Sequence, residues 1–195
     1  IYERHFARFR GTDVHVAEVG IWQGGSLEMW RHFFGPRARI IGIDVDERCR
    51  TFTGDQIDVV IGNQESAAFW SFFRDEHPRV DVLIDDGGHT MRGQITTFRE
   101  VFPHVAEDGV YLVEDLHTSY WNEYGGGLGC AESFVEFGKR LIDELNAWHI
   151  RGDSDQHVTR FTRTANSLHF YDSVLVVEKS HRERPESRRT GVASI

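Results

Sequence analysis

The sequence predicts an α/β protein with a doubly wound, mostly parallel β-sheet. Three observations predict it: β-branched apolar runs alternate with stretches of helical length, glycines follow the first run, and acidic residues follow three of the other runs. Runs that are apolar on both faces are typical of parallel strands covered by helices. Such alternation builds a Rossmann-like sheet, in which ligands bind at the carboxyl ends of the strands.

The predicted elements can be assigned in chain order. Apolar runs bounded by glycine, proline or charge predict five strands: Val14–Val19, Arg39–Asp44, Asp58–Ile61, Val80–Ile84 and Val110–Val113. The stretches between them predict three helices: Leu27–Phe34, Ser66–Asp75 and Gln94–Phe102. A longer helix is predicted from about Glu132 to Trp148. Two strand-like segments, His157–Thr164 and Ser167–Lys179, then flank a turn at Ala165-Asn166 and predict a C-terminal antiparallel hairpin.

Length and composition set the domain organisation. A chain of 195 residues is one domain by length, which we place at residues 1–179. Residues 180–195 form an Arg-rich tail with few large apolar side chains, which we expect to be flexible. Only two cysteines occur, and no signal-peptide pattern opens the chain. These features fit a reducing compartment, so we expect a cytoplasmic protein.

The net charge of the chain argues against two classes of binding partner. The formal net charge is −9. Binding to nucleic acid or to an anionic membrane surface requires an excess of Lys and Arg, so we expect neither partner. No apolar run approaches the ~20 residues of a membrane span.

The first strand end carries a glycine loop. Glu18 lies near the end of the strand, Gly20 and Gly24 follow it, and Ser26 opens the next helix. Glycines let the backbone approach a ligand closely, and a helix N-terminus suits an anionic group. The spacing is not the dinucleotide-binding fingerprint, and a plain strand-to-helix turn uses the same glycines. Taken alone, the loop leaves both interpretations open.

The second and third strand ends add polar groups. Asp44 lies about 20 residues beyond the loop, where an acid typically binds ribose hydroxyls. A helix N-cap is the alternative role for such an aspartate. Gln64 offers an amide that suits an adenine edge, although a polar turn is an equal alternative. The order of strand, glycine loop, helix, strand and acid favours a cofactor site.

Acids and a histidine follow the fourth and fifth strands. Asp85, Asp86 and His89 come after one strand, and Glu114 and Asp115 come after the other. Paired carboxylates are costly unless a cation or a proton separates them. Oxygen ligands suit Mg²⁺, with Ca²⁺ or Mn²⁺ tolerated, whereas zinc sites favour Cys or His clusters. The alternative is that the acids cap helices and turns in solvent. His89 has the side chain of a general base.

With these residues the sequence resembles class I S-adenosylmethionine-dependent methyltransferases. It is most similar to the metal-dependent sugar O-methyltransferases of macrolide and rhamnosyl antibiotic biosynthesis, of the mycinamicin type. IDDGGH at 84–89, VEDLHTSYW at 113–121 and HFYDSVLVVEK at 169–179 carry the resemblance, which extends over about Val14 to Lys179. The implied fold is the class I methyltransferase fold.

The resemblance also implies roles for individual residues. The S-adenosylmethionine site is implied for Glu18, Gly20, Gly24, Ser26, Asp44 and Gln64, with Asp85 beside the reactive end of the cofactor. The Mg²⁺ ligands implied are Asp86, Glu114 and Asp115, and His89 is the implied base.

The implied activity is O-methylation of a deoxysugar hydroxyl on a natural product, with two adjacent sugar oxygens on the metal. The implied partners are a glycosylated small molecule and further copies of the chain. Two alternatives stay open. One is a metal-dependent enzyme of the same fold similar to cephalosporin hydroxylases, and the other is a non-catalytic cofactor-binding subunit.

Overall fold

A computed structural model describes residues 1–152, 157–188 and 190–191. Seven strands in this part of the chain form one sheet: β1 His15–Val19, β2 Arg39–Asp44, β3 Ile57–Ile61, β4 Val80–Asp85, β5 Val105–Val113, β6 Ala165–Tyr171 and β7 Val174–Lys179. Their spatial order is β3-β2-β1-β4-β5-β7-β6. Strands β1 to β5 are parallel, and β7 runs antiparallel to both β5 and β6. The predicted fold class is confirmed.

Four of the six described α-helices begin at a capping side chain. The described α-helices are α1 Tyr2–Phe6, α2 Gly25–Phe34, α3 Ala67–Glu76, α4 Met91–Val101, α5 Phe134–Leu145 and α6 Arg160–Thr164. Ser66, Thr90 and Ser133 each accept a hydrogen bond from a backbone N–H in the first turn of α3, α4 and α5. None of the helices in the described ranges combines the length and apolar character needed to span a bilayer.

Apolar side chains cover the sheet on both faces. On one face, Phe6 of α1 and Trp30 and Phe34 of α2 pack together against the strands. On the other face, α3, α4 and α5 contribute a larger aromatic cluster that includes Trp70 and Phe98. Because the helices cover the faces, the carboxyl ends of the parallel strands remain open at one edge.

The C-terminal hairpin exists, but its predicted boundaries are wrong. Residues Arg160–Thr164 form a short helix, capped by a reciprocal pair of hydrogen bonds between Thr159 and Thr162. The hairpin strands lie later, and the turn is at Asp172-Ser173, where Ser173 has a φ of 63°. The β-branched valine and threonines of 157–164 favour a strand, but Val158 and Phe161 are three residues apart, as on one helical turn, and the cap decides for the helix.

Candidate active site

A cavity of about 560 Å³ opens at the carboxyl ends of β1, β2, β3 and β4. Its size is typical of a small-molecule site. The predicted site residues that line it are Gly20, Asp44, Gln64, Asp86, His89 and Asp115. The others, Glu18, Gly24, Ser26, Asp85 and Glu114, lie outside its wall.

The glycine loop needs Gly20 for a steric reason. Gly20 has a φ of 85°, in the left-handed region that favours glycine. A Cβ atom at this position would overlap the main-chain carbonyl oxygen of Asp86. The Asp86 backbone N–H in turn donates to the Val19 carbonyl at 3.0 Å. The β1 and β4 ends therefore meet closely at the floor of the cavity.

Gly20→Ala is expected to lower the free energy of unfolding by at least about 1–3 kcal/mol, because it adds backbone strain and a steric overlap. Gly25→Ala is the matched control, since no atom lies within 4 Å of a Cβ at Gly25. Denaturant unfolding of both variants measures the difference. Equal stability of the two variants would contradict the close approach of β1 and β4.

Glu18 and Ser26 bind each other. The Glu18 carboxylate is 2% exposed and accepts hydrogen bonds from Ser26 Oγ at 2.7 Å and Trp30 Nε1 at 2.8 Å. Burial raises the pKa of Glu18 to about 7, although both hydrogen bonds oppose the shift. Gly24 adopts a φ of 73° and abuts the ring of Phe52. These residues shape the loop, and contact between them and a cofactor stays a prediction.

Asp44 fixes the glycine loop over the cavity. Its Oδ2 atom accepts hydrogen bonds from the backbone N–H groups of Ile21 and Trp22, both at 3.1 Å. Trp22 has a φ of 41° and is 81% exposed at the cavity rim. Nothing in the sequence singled out Trp22, because its position depends on the loop conformation that Asp44 holds.

Gln64 and Asp85 belong to one hydrogen-bond network. The Gln64 amide donates to Asp85 Oδ1 at 3.1 Å and to Thr97 Oγ1 at 3.2 Å, and its oxygen accepts from the Gly88 N–H at 2.7 Å. The Gln64 side chain thus hydrogen-bonds protein groups through both its nitrogen and its oxygen while it lines the cavity, and its contact with an adenine edge stays a prediction. Asp85 is fully buried, and burial raises its pKa to about 6. Asp85 supports the side chain of Gln64 in the cavity wall, and its place beside the reactive end of the cofactor stays a prediction.

Asp86, His89 and Asp115 come together at the cavity edge. One ligand atom from each lies within 4.8 Å of the other two. His89 and Asp115 have φ values of 53° and 54°, and strained backbones of this kind concentrate at functional sites. Burial, followed by the charges of Glu114 and Asp115, raises the pKa of Asp86 to about 7. A cation at this cluster would relieve the repulsion that causes the second part of this shift.

Glu114, the third predicted metal ligand, is bound to the N-terminal helix. Tyr2 Oη donates a hydrogen bond to Glu114 Oε1 at 2.6 Å. Burial raises the pKa of Glu114, whereas this hydrogen bond lowers it. Tyr2 is a functional candidate that the sequence could not reveal, because it lies 112 residues from its partner. The structure thus brings two predicted ligands together with His89 and leaves the third beside them.

His89 is held so that its ring stays neutral. Burial lowers its pKa, against the opposing charge of Asp115. Nε2 lies 3.5 Å from Asp115 Oδ2, and Thr118 Oγ1 donates to the His89 carbonyl at 3.0 Å. Nδ1 is buried and has no hydrogen-bond partner among the described residues. A neutral imidazole beside two carboxylates can accept a proton from a bound hydroxyl.

Exposed aromatic side chains lie next to His117, whose Nδ1 atom is 3.9 Å from Asp115 Oδ1. Trp121 packs edge-on against His117, with the ring centroids 4.6 Å apart. Trp121 is 44% exposed and the adjacent Tyr120 is 50% exposed. Ser173 of the hairpin turn holds His117, since its Oγ lies 2.7 Å from His117 Nδ1. Exposed apolar surface beside polar side chains is characteristic of a binding site.

Comparison with known proteins gives consistent matches. Residues 17–116 match the protein family described as "Methyltransferase domain". Demethylmacrocin O-methyltransferase of Streptomyces fradiae is 34% identical over 91% of this chain and 47% of its own length. Mycinamicin VI 2''-O-methyltransferase of Micromonospora griseorubida is 35% identical over 93% of this chain and 48% of its own length.

A solved structure shares the fold closely. MycE methyltransferase from the mycinamycin biosynthetic pathway, in complex with Mg, SAH and mycinamycin VI, superposes with a TM-score of 0.85. Its sequence is 33% identical, and the match covers 92% of this chain and 48% of that chain. The chain described here spans about half the length of the curated relatives it matches.

Proposed function

Because the chain belongs to the methyltransferase-domain family, we propose that it transfers a methyl group from S-adenosylmethionine to a sugar hydroxyl of a glycosylated natural product, in a Mg²⁺-dependent reaction. One observation carries the proposal: Asp86, His89 and Asp115 meet at the edge of a cavity at the carboxyl ends of parallel strands. The relatives reported above are named as methyltransferases, which favours methyl transfer over hydroxylation.

The donor set suits Mg²⁺. Asp86 and Asp115 supply carboxylate oxygens, and Glu114 lies close enough for its charge to raise the pKa of Asp86. Hard cations such as Mg²⁺ prefer oxygen ligands, and Ca²⁺ and Mn²⁺ accept the same set. We assign Asp86, Glu114 and Asp115 as the residues that would hold the ion.

The cavity suits S-adenosylmethionine. Its volume of about 560 Å³ accommodates a ligand of nucleoside size, and Asp44 lies on its wall with a carboxylate for ribose hydroxyls. The exposed Trp22 ring at the rim offers a flat surface for an adenine base. Gly20 approaches Asp86 closely, so the glycine loop is next to the proposed metal ligands. This arrangement supports a single cleft for S-adenosylmethionine and Mg²⁺.

His89 performs the proton transfer in this proposal. When bound, Mg²⁺ supplies a Lewis acid that lowers the pKa of a hydroxyl, and S-adenosylmethionine supplies the methyl group. His89 accepts the hydroxyl proton at Nε2, the ring nitrogen that faces Asp115. Burial keeps the ring neutral and ready to accept the proton. Asp115 then stabilises the imidazolium through its adjacent charge.

The acceptor is a sugar on an apolar scaffold. Tyr120 and Trp121 expose aromatic surface beside His117, which suits the apolar faces of a deoxysugar or a polyketide ring. The net charge of −9 disfavours a nucleic-acid acceptor. We propose a glycosylated small molecule for these reasons. The homo-oligomeric assembly expected from the sequence stays a prediction, and analytical ultracentrifugation tests it.

The proposal is tested by incubating the protein with methyl-labelled S-adenosylmethionine and mycinamicin VI as a glycosylated probe. We expect Mg²⁺-dependent transfer of label to the probe, lost in excess chelator and restored by added Mg²⁺. The aglycone without its sugars is the matched control and should stay unlabelled. Labelling that is equal with and without chelator would contradict the role of the metal.

Tyr2 is expected to position the metal ligand Glu114. Burial and the carboxylates of Glu114, Asp86 and Glu18 raise the pKa of Tyr2, so its hydroxyl remains a donor. Tyr2→Phe keeps the edge-on packing against Trp30, at 4.9 Å between ring centroids, and removes only the hydroxyl. Loss of a partner that orients a ligand typically weakens metal binding by about 10–100-fold. We expect a decrease of that size in Mn²⁺ affinity, measured by electron paramagnetic resonance.

The matched control is Tyr120→Phe, which removes the hydroxyl of an exposed tyrosine. Binding of S-adenosylmethionine without metal should be unchanged in both variants. An unchanged Mn²⁺ affinity in Tyr2→Phe would show that the Tyr2 hydroxyl has no part in forming the metal site.

A further inference from the structure

A second group of metal-ligating side chains lies outside the cavity. One ligand atom from each of His5, His169 and Glu178 lies within 4.8 Å of the other two. We propose that these three residues bind a divalent transition-metal ion such as Zn²⁺, which clamps helix α1 onto the C-terminal hairpin. The proposed site is independent of the methyl-transfer reaction.

Three separate elements build the cluster. His5 is on α1 and is 1% exposed, His169 is on β6 and Glu178 is on β7. The β6–β7 pairing sets Ser167 opposite Glu178 and His169 opposite Val176, so the side chains of His169 and Glu178 are diagonal neighbours on one face. Val176 belongs to the core cluster that also contains Phe6 of α1. This face is therefore the one that α1 covers.

The distances suit shared ligation. His5 Nδ1 lies 2.7 Å from Glu178 Oε1. The rings of His5 and His169 have centroids 4.7 Å apart, at an interplanar angle of 58°. In the ion-free state a proton between His5 and Glu178 satisfies the pair. A metal ion would replace that proton, since imidazole binds metals in its neutral form.

Each histidine also has a hydroxyl group within hydrogen-bond distance of its Nε2 atom. Tyr171 Oη lies 2.8 Å from Nε2 of His5, and Ser167 Oγ lies 2.9 Å from Nε2 of His169. Histidines that bind metals usually use their second nitrogen in a hydrogen bond that fixes the ring.

The ligand types select the class of ion. Two imidazoles and one carboxylate suit Zn²⁺ and other transition metals, with further positions left for water, whereas Mg²⁺ prefers oxygen ligands alone. This set differs from Asp86, Glu114 and Asp115. The sequence did not indicate it, because His5 and Glu178 are 173 residues apart.

The proposed ion would join α1 to the C-terminal hairpin, and both of these elements contact the segment that follows β5. Tyr2, on the same helix as His5, donates to Glu114 at 2.6 Å. Ser173, in the turn between the strands of His169 and Glu178, accepts a hydrogen bond from the Leu116 N–H at 2.9 Å. An ion that binds α1 to the hairpin therefore holds together the two elements that contact residues 114–117.

The test is a calorimetric titration of Zn²⁺ into the protein in the presence of saturating Mg²⁺. His169→Ala and Glu178→Gln remove partly exposed ligands of the proposed site, and Asp86→Asn disables the cavity cluster instead. His149→Ala removes an exposed histidine on a different surface. We expect one equivalent of Zn²⁺ to bind in the wild type, Asp86→Asn and His149→Ala. Affinity should fall by at least about tenfold in His169→Ala and Glu178→Gln.

Thermal unfolding distinguishes the loss of Zn²⁺ binding from a folding defect in the variants. Excess Zn²⁺ should raise the thermal unfolding midpoint of the wild type by about 5 °C or more. The rise should disappear in His169→Ala and Glu178→Gln while both variants still unfold cooperatively. Zn²⁺ binding that is lost in Asp86→Asn but kept in His169→Ala would overturn the proposal. So would the absence of saturable Zn²⁺ binding in the wild type, which would leave His5, His169 and Glu178 as a hydrogen-bonded cluster only.

Discussion

His89→Ala is expected to lower kcat by about 10²–10⁴-fold, the usual contribution of a positioned general base. Binding of S-adenosylmethionine should be retained, because His89 takes part in proton transfer rather than in holding the cofactor. His117→Ala is the matched control, since His117 also lies near Asp115, at 3.9 Å between Nδ1 and Oδ1. Steady-state kinetics and calorimetry together separate the two effects.

The pH profile gives an independent check on this assignment. Burial lowers the pKa of His89, so the neutral ring that accepts a proton persists to a pH below its ordinary titration range. The kcat of the wild type should fall only when the pH drops through this lowered pKa and the ring becomes protonated. The residual activity of His89→Ala should lack that decrease. Normal turnover in the variant would show that another group is the base.

Asp86→Asn is expected to abolish both activity and the response to Mg²⁺. Burial, followed by the charges of Glu114 and Asp115, raises the pKa of Asp86 to about 7. Removing one carboxylate relieves this repulsion, so the metal-free variant should be at least as stable as the wild type. It should also lose the stabilisation that Mg²⁺ gives to the wild type.

The control for this variant is Asp46→Asn, at another part of the cavity wall. Asp46 pairs with Arg48 rather than with other acids, so its replacement should leave the Mg²⁺ response intact. Thermal unfolding with and without Mg²⁺ measures both responses. If Asp86→Asn remained active in excess chelator, the metal would have no place in the mechanism.

The sequence was most informative where local pattern determines structure. The alternation of apolar runs and helical stretches predicted the sheet, and the acids after β4 and β5 predicted which strand ends meet. Asp86 and Asp115 follow strands that are neighbours in the sheet, which is why residue type at a strand end was enough to group them.

The remaining features depend on tertiary contacts. Gln64 and Asp85 have the residue types of ligand contacts, and the sequence did not show the hydrogen bond that joins them. Tyr2 meets Glu114 only because α1 packs beside Trp30 after the chain has folded. The predicted hairpin boundary was wrong because the β-branched residues of 157–164 favour a strand, whereas the capping contacts of Thr159 begin a helix. Sequence pattern reports periodicity and residue type, whereas these contacts depend on side-chain direction and distant partners.

The most direct test of the central claim is a calorimetric titration of S-adenosylmethionine into the protein, with Mg²⁺ and then with chelator. We predict saturable binding in both conditions, because the cavity that suits the cofactor is formed by β1, β2 and β3 as well as by the acidic cluster. Binding should be weakened by Gly20→Ala and unaffected by Gly25→Ala. Absence of binding in both conditions would contradict the methyltransferase assignment and indicate a different ligand for the same cavity.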